Sequence, residues 1–253
     1  MGRFDDRFPP YVSAAERREK NAQHAKSLSK EKTGAQPVIL QGKTIAASFW
    51  GKAWCANLEN YGDYATRLPR GRTYIRNGAV LDLRVEPAKV TALVSGSELY
   101  KINISIAPLQ EKKWKLLIER CTGHIDSLVE LLQGKFSHGV LEFLTDQKEG
   151  IFPAPKEMKF SCTCPDHAHM CKHVAAALYG VGARLDQKPE LFFVLRNVDQ
   201  GDLLARAPAM DALPKVHSNI PLIATNQLSD IFGVDIDLGA IAQKPARKKK
   251  LKG

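Results

Sequence analysis

The sequence predicts an α+β fold: an antiparallel sheet with packed helices, followed by a small ββα-like unit, between basic flexible termini. Three observations predict it. Short segments of alternating apolar and polar residues run between residues 74 and 106. Helix-period apolar patterns flank that run on both sides. Both ends of the chain are basic and too poor in apolar residues to offset their ordering entropy by burial. With 253 residues, 44% apolar and 25% charged, the chain is long enough to bury a core without disulfides.

In chain order, residues 1–36 carry eight Lys and Arg against five acids and read as a basic flexible arm, partly helical over 14–27. From Pro37 the composition turns globular, and an α+β domain is expected over 37–152. Phe49, Trp50, Trp54, Leu58 and Tyr61 approximate one helical face, with Ser48 placed to cap it. The stretch Arg67-Leu-Pro-Arg70-Gly-Arg72-Thr-Tyr74-Ile-Arg76 follows. Asn77-Gly78 then reads as a hairpin turn between Tyr74-Ile75 and residues 79–85, because Asn-Gly tolerates the positive φ of a type I′ turn. Residues 89–95 and 100–106 continue as strands, for a meander of about four.

Residues 112–120, 125–132 and 138–144 read as helices. Gly150-Ile-Phe-Pro-Ala-Pro155 reads as a rigid extended linker, since proline fixes φ and pushes its predecessor out of the helical region. It marks the boundary of a second unit over 153–200, with helices at 172–185 and 189–197. Residues 201–253 read as a mostly flexible basic tail, with one apolar group at 228–236. The tail ends in six positive charges and no acid between Lys244 and Lys252.

Charge and cysteine usage narrow the function. Lys plus Arg total 37 against 27 Asp plus Glu, a net charge of +10, which points to an anionic partner, nucleic acid first. The longest run of apolar residues plus glycine is ten, at 174–183, short of the roughly 18–20 of a membrane helix. No apolar stretch follows the basic start, so no secretory signal is expected. Five cysteines, an odd number, fit a reducing compartment, and the cytoplasm is the expected location. Phosphate-cradling glycine motifs are absent, so no ATPase is expected in this chain.

Three of the five cysteines fall in Phe160-Ser-Cys162-Thr-Cys164-Pro-Asp-His-Ala-His-Met-Cys171-Lys-His173. The spacing is Cys-x-Cys, six residues, Cys-x-His. Thiolates and an imidazole are the ligands Zn2+ takes in a closed tetrahedral site. Cys-x-Cys on an extended strand directs both side chains to one side. A loop opened by Pro165 brings the chain round, and Cys171 and His173 approach from the first turn of the next helix, whose N-terminus favours thiolate. His167 and His169 lie in the same loop as alternative ligands. Four protein ligands leave no open position for water, and no His-Glu-x-x-His occurs, so a non-catalytic zinc site is expected. Cys55 and Cys121 read as buried structural thiols.

These residues resemble the SWIM zinc finger, Cys-x-Cys-(x)n-Cys-x-His followed by an apolar run, here Val174-Ala-Ala-Ala-Leu178. Phe49-Trp-Gly-Lys-Ala-Trp-Cys55, Arg67-Leu-Pro-Arg-Gly-Arg72 and Gly150-Ile-Phe-Pro153 are similar to the bacterial SWIM zinc-finger proteins found alongside Swi/Snf-type helicase-like ATPases. The resemblance covers roughly residues 37–199 and implies binding of DNA or of another protein.

Arg67, Arg70, Arg72 and Arg76 around Tyr74 form a candidate nucleic-acid patch, since guanidinium forks fit phosphates. Strand alternation would put Tyr74 and Arg76 on one surface. Arg247, Lys248, Lys249 and Lys250 of the tail are the second candidate contact. The expectation is a zinc-dependent, non-catalytic adaptor that binds nucleic acid, DNA in preference to RNA. The alternative is a module that docks a separate helicase-like ATPase without touching nucleic acid. Loss of zinc is expected to unfold residues 156–200 and leave the first domain standing.

Overall fold

A computed structural model describes residues 12–30, 34–42, 44–122, 124–125, 128–135 and 137–203. Arg247, Lys248, Lys249, Lys250 and the rest of the expected tail from residue 204 lie outside the described residues. In chain order the elements are α1 (Ala14–Lys30), α2 (Phe49–Glu59), α3 (Leu68–Arg76), β1 (Val80–Glu86), β2 (Lys89–Ser95) and β3 (Leu99–Ile106). They continue as α4 (Glu111–Cys121), α5 (Leu128–Gln133), α6 (His138–Thr145), β4 (Met158–Cys162), α7 (Lys172–Leu185) and α8 (Leu191–Arg196). The α+β class and the four-stranded antiparallel sheet agree with expectation, in the order β1-β2-β3-β4.

β3 shows why this sheet forms. Tyr100, Ile102, Ile104 and Ile106 are buried, while Lys101, Asn103 and Ser105 face outward. Val90, Ala92 and Val94 of β2 continue the buried face. One face is wet and the other meets helices, as in many antiparallel sheets. The helix on that face is α7, which touches all four strands. It is buried almost throughout because α2 and α3 cover its far side. Small residues permit this closeness: a Cβ on Gly71 would lie 2.5 Å from the Ala175 Cβ and 2.8 Å from its main chain.

Several expectations are corrected. Tyr74-Ile75 is not a strand, because residues 68–76 form α3. Pro69 lies in the first turn and Leu68, Gly71 and Ile75 bury one helical face. Asn77-Gly78 closes that helix. Gly78 has φ +67°, its N–H donates to Ile75 O, and Ala79 N–H reaches back to Tyr74 O, the Schellman pattern. The local meander therefore has three strands, and the fourth, β4, comes from the cysteine segment.

The boundary at 153–155 does not separate two cores. Ile151 and Phe152 are buried, Pro153 O accepts a hydrogen bond from Asn57 Nδ2 at 3.1 Å, and the Phe152 ring packs at a tilt against Trp50 and Phe192. β4 pairs with β3 from Ile102↔Cys162 to Ile106↔Met158, so the expected ββα-like finger shares its sheet and core with residues 37–152. Finally, the helix expected over 14–27 of the flexible arm runs from Ala14 to Lys30 and docks on the domain. Asn21, buried, donates to Asn77 O at 2.8 Å, and His24 meets Ser95 Oγ at 3.4 Å.

Candidate metal centre

Each ligand position has a local cause. Cys162 is the last residue of β4 and so is set by the ladder to β3. Cys164 follows in the bend opened toward Pro165. Cys171 is the N-cap of α7, in extended geometry at φ −84° and ψ 169°, and His173 sits in the first turn. The strand end and the helix start are held together because β4 and α7 pack on each other.

The four ligand atoms lie within 4.8 Å of one another. His173 Nδ1 is 3.9 Å from both Cys162 Sγ and Cys171 Sγ. A tetrahedron with Zn–S near 2.3 Å and Zn–N near 2.0–2.1 Å has a sulfur–nitrogen edge of about 3.6 Å, so the cluster needs only a small contraction to close on a zinc ion. The donor chemistry fits too: three sulfurs and one imidazole are a structural zinc set, and with four protein ligands the site is closed. His167 and His169 stay outside the cluster, both exposed, with His169 set edge-on to Phe160 at 5.3 Å.

Burial, with the neighbouring sulfurs adding, pushes the Cys162 thiol up to about 12. Burial also raises Cys171, partly opposed by the N–H groups at the start of α7. Burial and Lys172 hold His173 down to about 4, so its imidazole is neutral and ready to donate a lone pair. Three thiolates with Zn2+ leave one net negative charge, and Lys172, its Nζ 5.4 Å above the Tyr74 ring, lies beside it.

Of the arginines singled out in the sequence, two are tied to carboxylates of the same chain in partly exposed pairs. Arg67 donates to Asp166 of the ligand loop at 3.0 and 3.5 Å, which pins that loop to the start of α3. Arg72 pairs with Glu59 at 3.0 Å, and Glu59 also accepts from Tyr179 OH at 2.7 Å. Arg70 and Arg76 are exposed on α3 and make no ion pair among the described residues. Because α3 is a helix, the strand-based grouping of Tyr74 with Arg76 does not hold; Tyr74 turns inward against His173. Cys55 and Cys121 sit apart from the metal cluster, and burial pushes their thiols up to about 12 and about 11.

Sequence reasoning did not find the residues that seat the site: Asp166 as the anchor for Arg67, and Tyr74, Tyr100 and Gly96 around His173. Only Asp166 had a local signal, as the sole carboxylate in the loop.

Comparison with known proteins agrees with the geometry. Residues 143–181, which run from the end of α6 through β4 and the ligand loop into α7, match the family model of the SWIM zinc finger. The chain is 33% identical over 171 residues to the uncharacterized protein Rv2102 of Mycobacterium tuberculosis (strain ATCC 25618 / H37Rv). That alignment covers 66% of this chain and 61% of the relative, so the match spans about three-fifths of the relative's length. No solved structure matches the chain. The segment that matches the SWIM zinc finger thus carries Cys162, Cys164, Cys171 and His173 positioned to bind a metal ion, a set consistent with Zn2+.

Proposed function

We propose that this chain is a zinc-dependent, non-catalytic nucleic-acid-binding protein, with DNA its partner in preference to RNA, that works as a cytoplasmic accessory factor. The observation that carries the reading is a groove lined by basic residues of two helices. Arg70 and Arg76 project from α3 with no ion pair among the described residues, and Arg76 shares a groove with Arg18 of α1. α1 adds exposed Arg17, Lys20 and Lys26. Arg67 and Arg72 add positive charge to the same helix while paired with Asp166 and Glu59. Arg247, Lys248, Lys249 and Lys250 join the reading through their charge alone. In this reading zinc holds α7, and α7 holds α3.

The test is anisotropy of a labelled 20-base-pair duplex titrated with the zinc-loaded chain across about 50–200 mM salt. Affinity should fall steeply with salt. Arg70→Glu with Arg76→Glu should weaken binding to all sequences alike and reduce the salt slope by about one per lost contact. Absence of binding at the low-salt end, or no response to the double substitution, overturns the reading.

A second reading has its own observation. The groove that holds Arg18 and Arg76 has an apolar floor that includes Val38, Leu40 and Ile75, and Ile39 beside them is 73% exposed. That surface suits a protein partner, and a separate helicase-like ATPase is the candidate. Salt-resistant association with such an ATPase, lost on Ile39→Asp in a chain that still folds, would favour docking over nucleic-acid contact.

A further inference from the structure

A histidine that binds a metal through one ring nitrogen keeps a proton on the other. That N–H is normally given to a carboxylate, a main-chain carbonyl or water, which fixes the ring. His173 is arranged differently. Its Nδ1 faces Cys162 Sγ and Cys171 Sγ, each at 3.9 Å. Its Nε2 is buried and has no hydrogen-bond partner among the described residues. Packing surrounds it instead. The Tyr100 ring stacks on the imidazole at 4.3 Å with 29° between the planes. Tyr74 meets it edge-on at 5.2 Å and 72°. Tyr100 is itself fixed, 6% exposed near the start of β3, with its hydroxyl 2.6 Å from Ser97 Oγ. Gly96 closes the space beside Nε2: a Cβ there would lie 3.0 Å from that nitrogen and 2.8 Å from the Tyr100 ring.

We propose that Tyr100, Tyr74 and Gly96 are positioning residues that hold His173 as an Nδ1 metal ligand by shape, in place of the usual hydrogen bond. The inference rests on the metal reading of the four ligands. The stack and the edge contact confine the ring plane, so Nδ1 stays aimed at the two sulfurs without a polar partner behind it. Gly96 leaves room for an N–H but not for a side chain. Two consequences follow from shape control. The Tyr100 ring matters more than its hydroxyl, and bulk at Gly96 displaces the ligand although it touches no metal.

The first test needs no substitution. Imidazole nitrogen–hydrogen correlation spectra of the zinc-loaded, 15N-labelled chain should show His173 bound through Nδ1 and protonated at Nε2. A pattern with Nε2 bound overturns the inference. The second test compares Tyr100→Leu with Tyr100→Phe, loaded with Co2+ and titrated with a competing chelator. Tyr100→Phe should keep the visible spectrum and affinity of the unsubstituted chain. Tyr100→Leu should lose about tenfold or more in affinity, the range seen when a ligand's orienting partner is removed, with altered d–d bands and native tryptophan fluorescence. A Tyr100→Leu chain with an unchanged spectrum and affinity refutes the ring's role, and a Tyr100→Phe chain as damaged as Tyr100→Leu assigns it to the hydroxyl instead. Should Tyr100→Leu fail to fold, Gly96→Ala carries the same readout. Unaltered cobalt bands in that variant would overturn the shape argument.

Discussion

Removing the metal should unfold far more than the ligand loop, and the reason lies in α7. Cys171 and His173 form the start of that helix, and Val174 and Leu178, 1% and 0% exposed, lie in its first two turns. Freeing those turns exposes two large apolar side chains at about 1.5–3 kcal/mol each. It also breaks the bond from Trp54 Nε1 to Leu178 O, 2.8 Å long, a further loss of about 1 kcal/mol. The sum, roughly 4–7 kcal/mol, rivals the whole stability of an ordinary domain, about 5–15 kcal/mol. The helix start therefore does not fray alone. The assay follows chelator-driven zinc release by thiol titration, tryptophan fluorescence and far-ultraviolet circular dichroism together. Trp50 and Trp54 lie on α2, away from the ligands, and report on the shared core. The three signals should change in one step. Reactive thiols beside unchanged tryptophan fluorescence and an unchanged melting temperature would refute the reasoning and restore two independent units.

Three further outcomes follow. Because Cys162 and Cys171 are held protonated at neutral pH while His173 is already neutral, zinc uptake at pH 7 should expel protons from these two thiols at least, and affinity should fall as the pH is lowered; calorimetry in buffers of different ionisation enthalpy measures this, and uptake without proton release would contradict it. The Cys55 thiol is pushed up from 9.0 to about 12, by burial first and then by Glu59 and Asp186. A raised value means its contribution is complete below about pH 9 and is lost as the pH climbs toward 12, so the melting temperature of the zinc-loaded chain should drop across that window and Cys55→Ala should flatten part of the drop. Gly71→Val forces atoms into the crossing of α3 and α7 and should cost about 1–3 kcal/mol or more in a urea titration; a variant as stable as the parent would show that the two helices separate freely.

The metal ligands were legible because their chemistry is local: three sulfurs and an imidazole within twelve residues have few other uses. α2 was legible as well, since Trp50, Trp54 and Leu58 repeat at four-residue spacing behind Ser48, whose hydroxyl accepts from Gly51 N–H. Asn77-Gly78 misled because a left-handed glycine serves a hairpin and a helix end equally. The apolar spacing of Leu68 and Ile75 decided for the helix. The proline-rich stretch at 150–155 is extended as its residues dictate, yet Ile151 and Phe152 make it part of the core, a fact that depends on Trp50 and Phe192 far along the chain. The fate of Arg67 was hidden for the same reason, with its partner Asp166 lying 99 residues away. The helix in the arm was legible in part, over 14–27, but its docking was not, because it rests on Asn21 and His24, polar contacts that no apolar pattern announces.

The most direct test of the account is zinc K-edge X-ray absorption on the zinc-loaded chain. Three sulfurs at about 2.3 Å and one nitrogen at about 2.0–2.1 Å, with no oxygen, is the result expected of a closed site on Cys162, Cys164, Cys171 and His173. A coordinated oxygen, or fewer than three sulfurs, would contradict it.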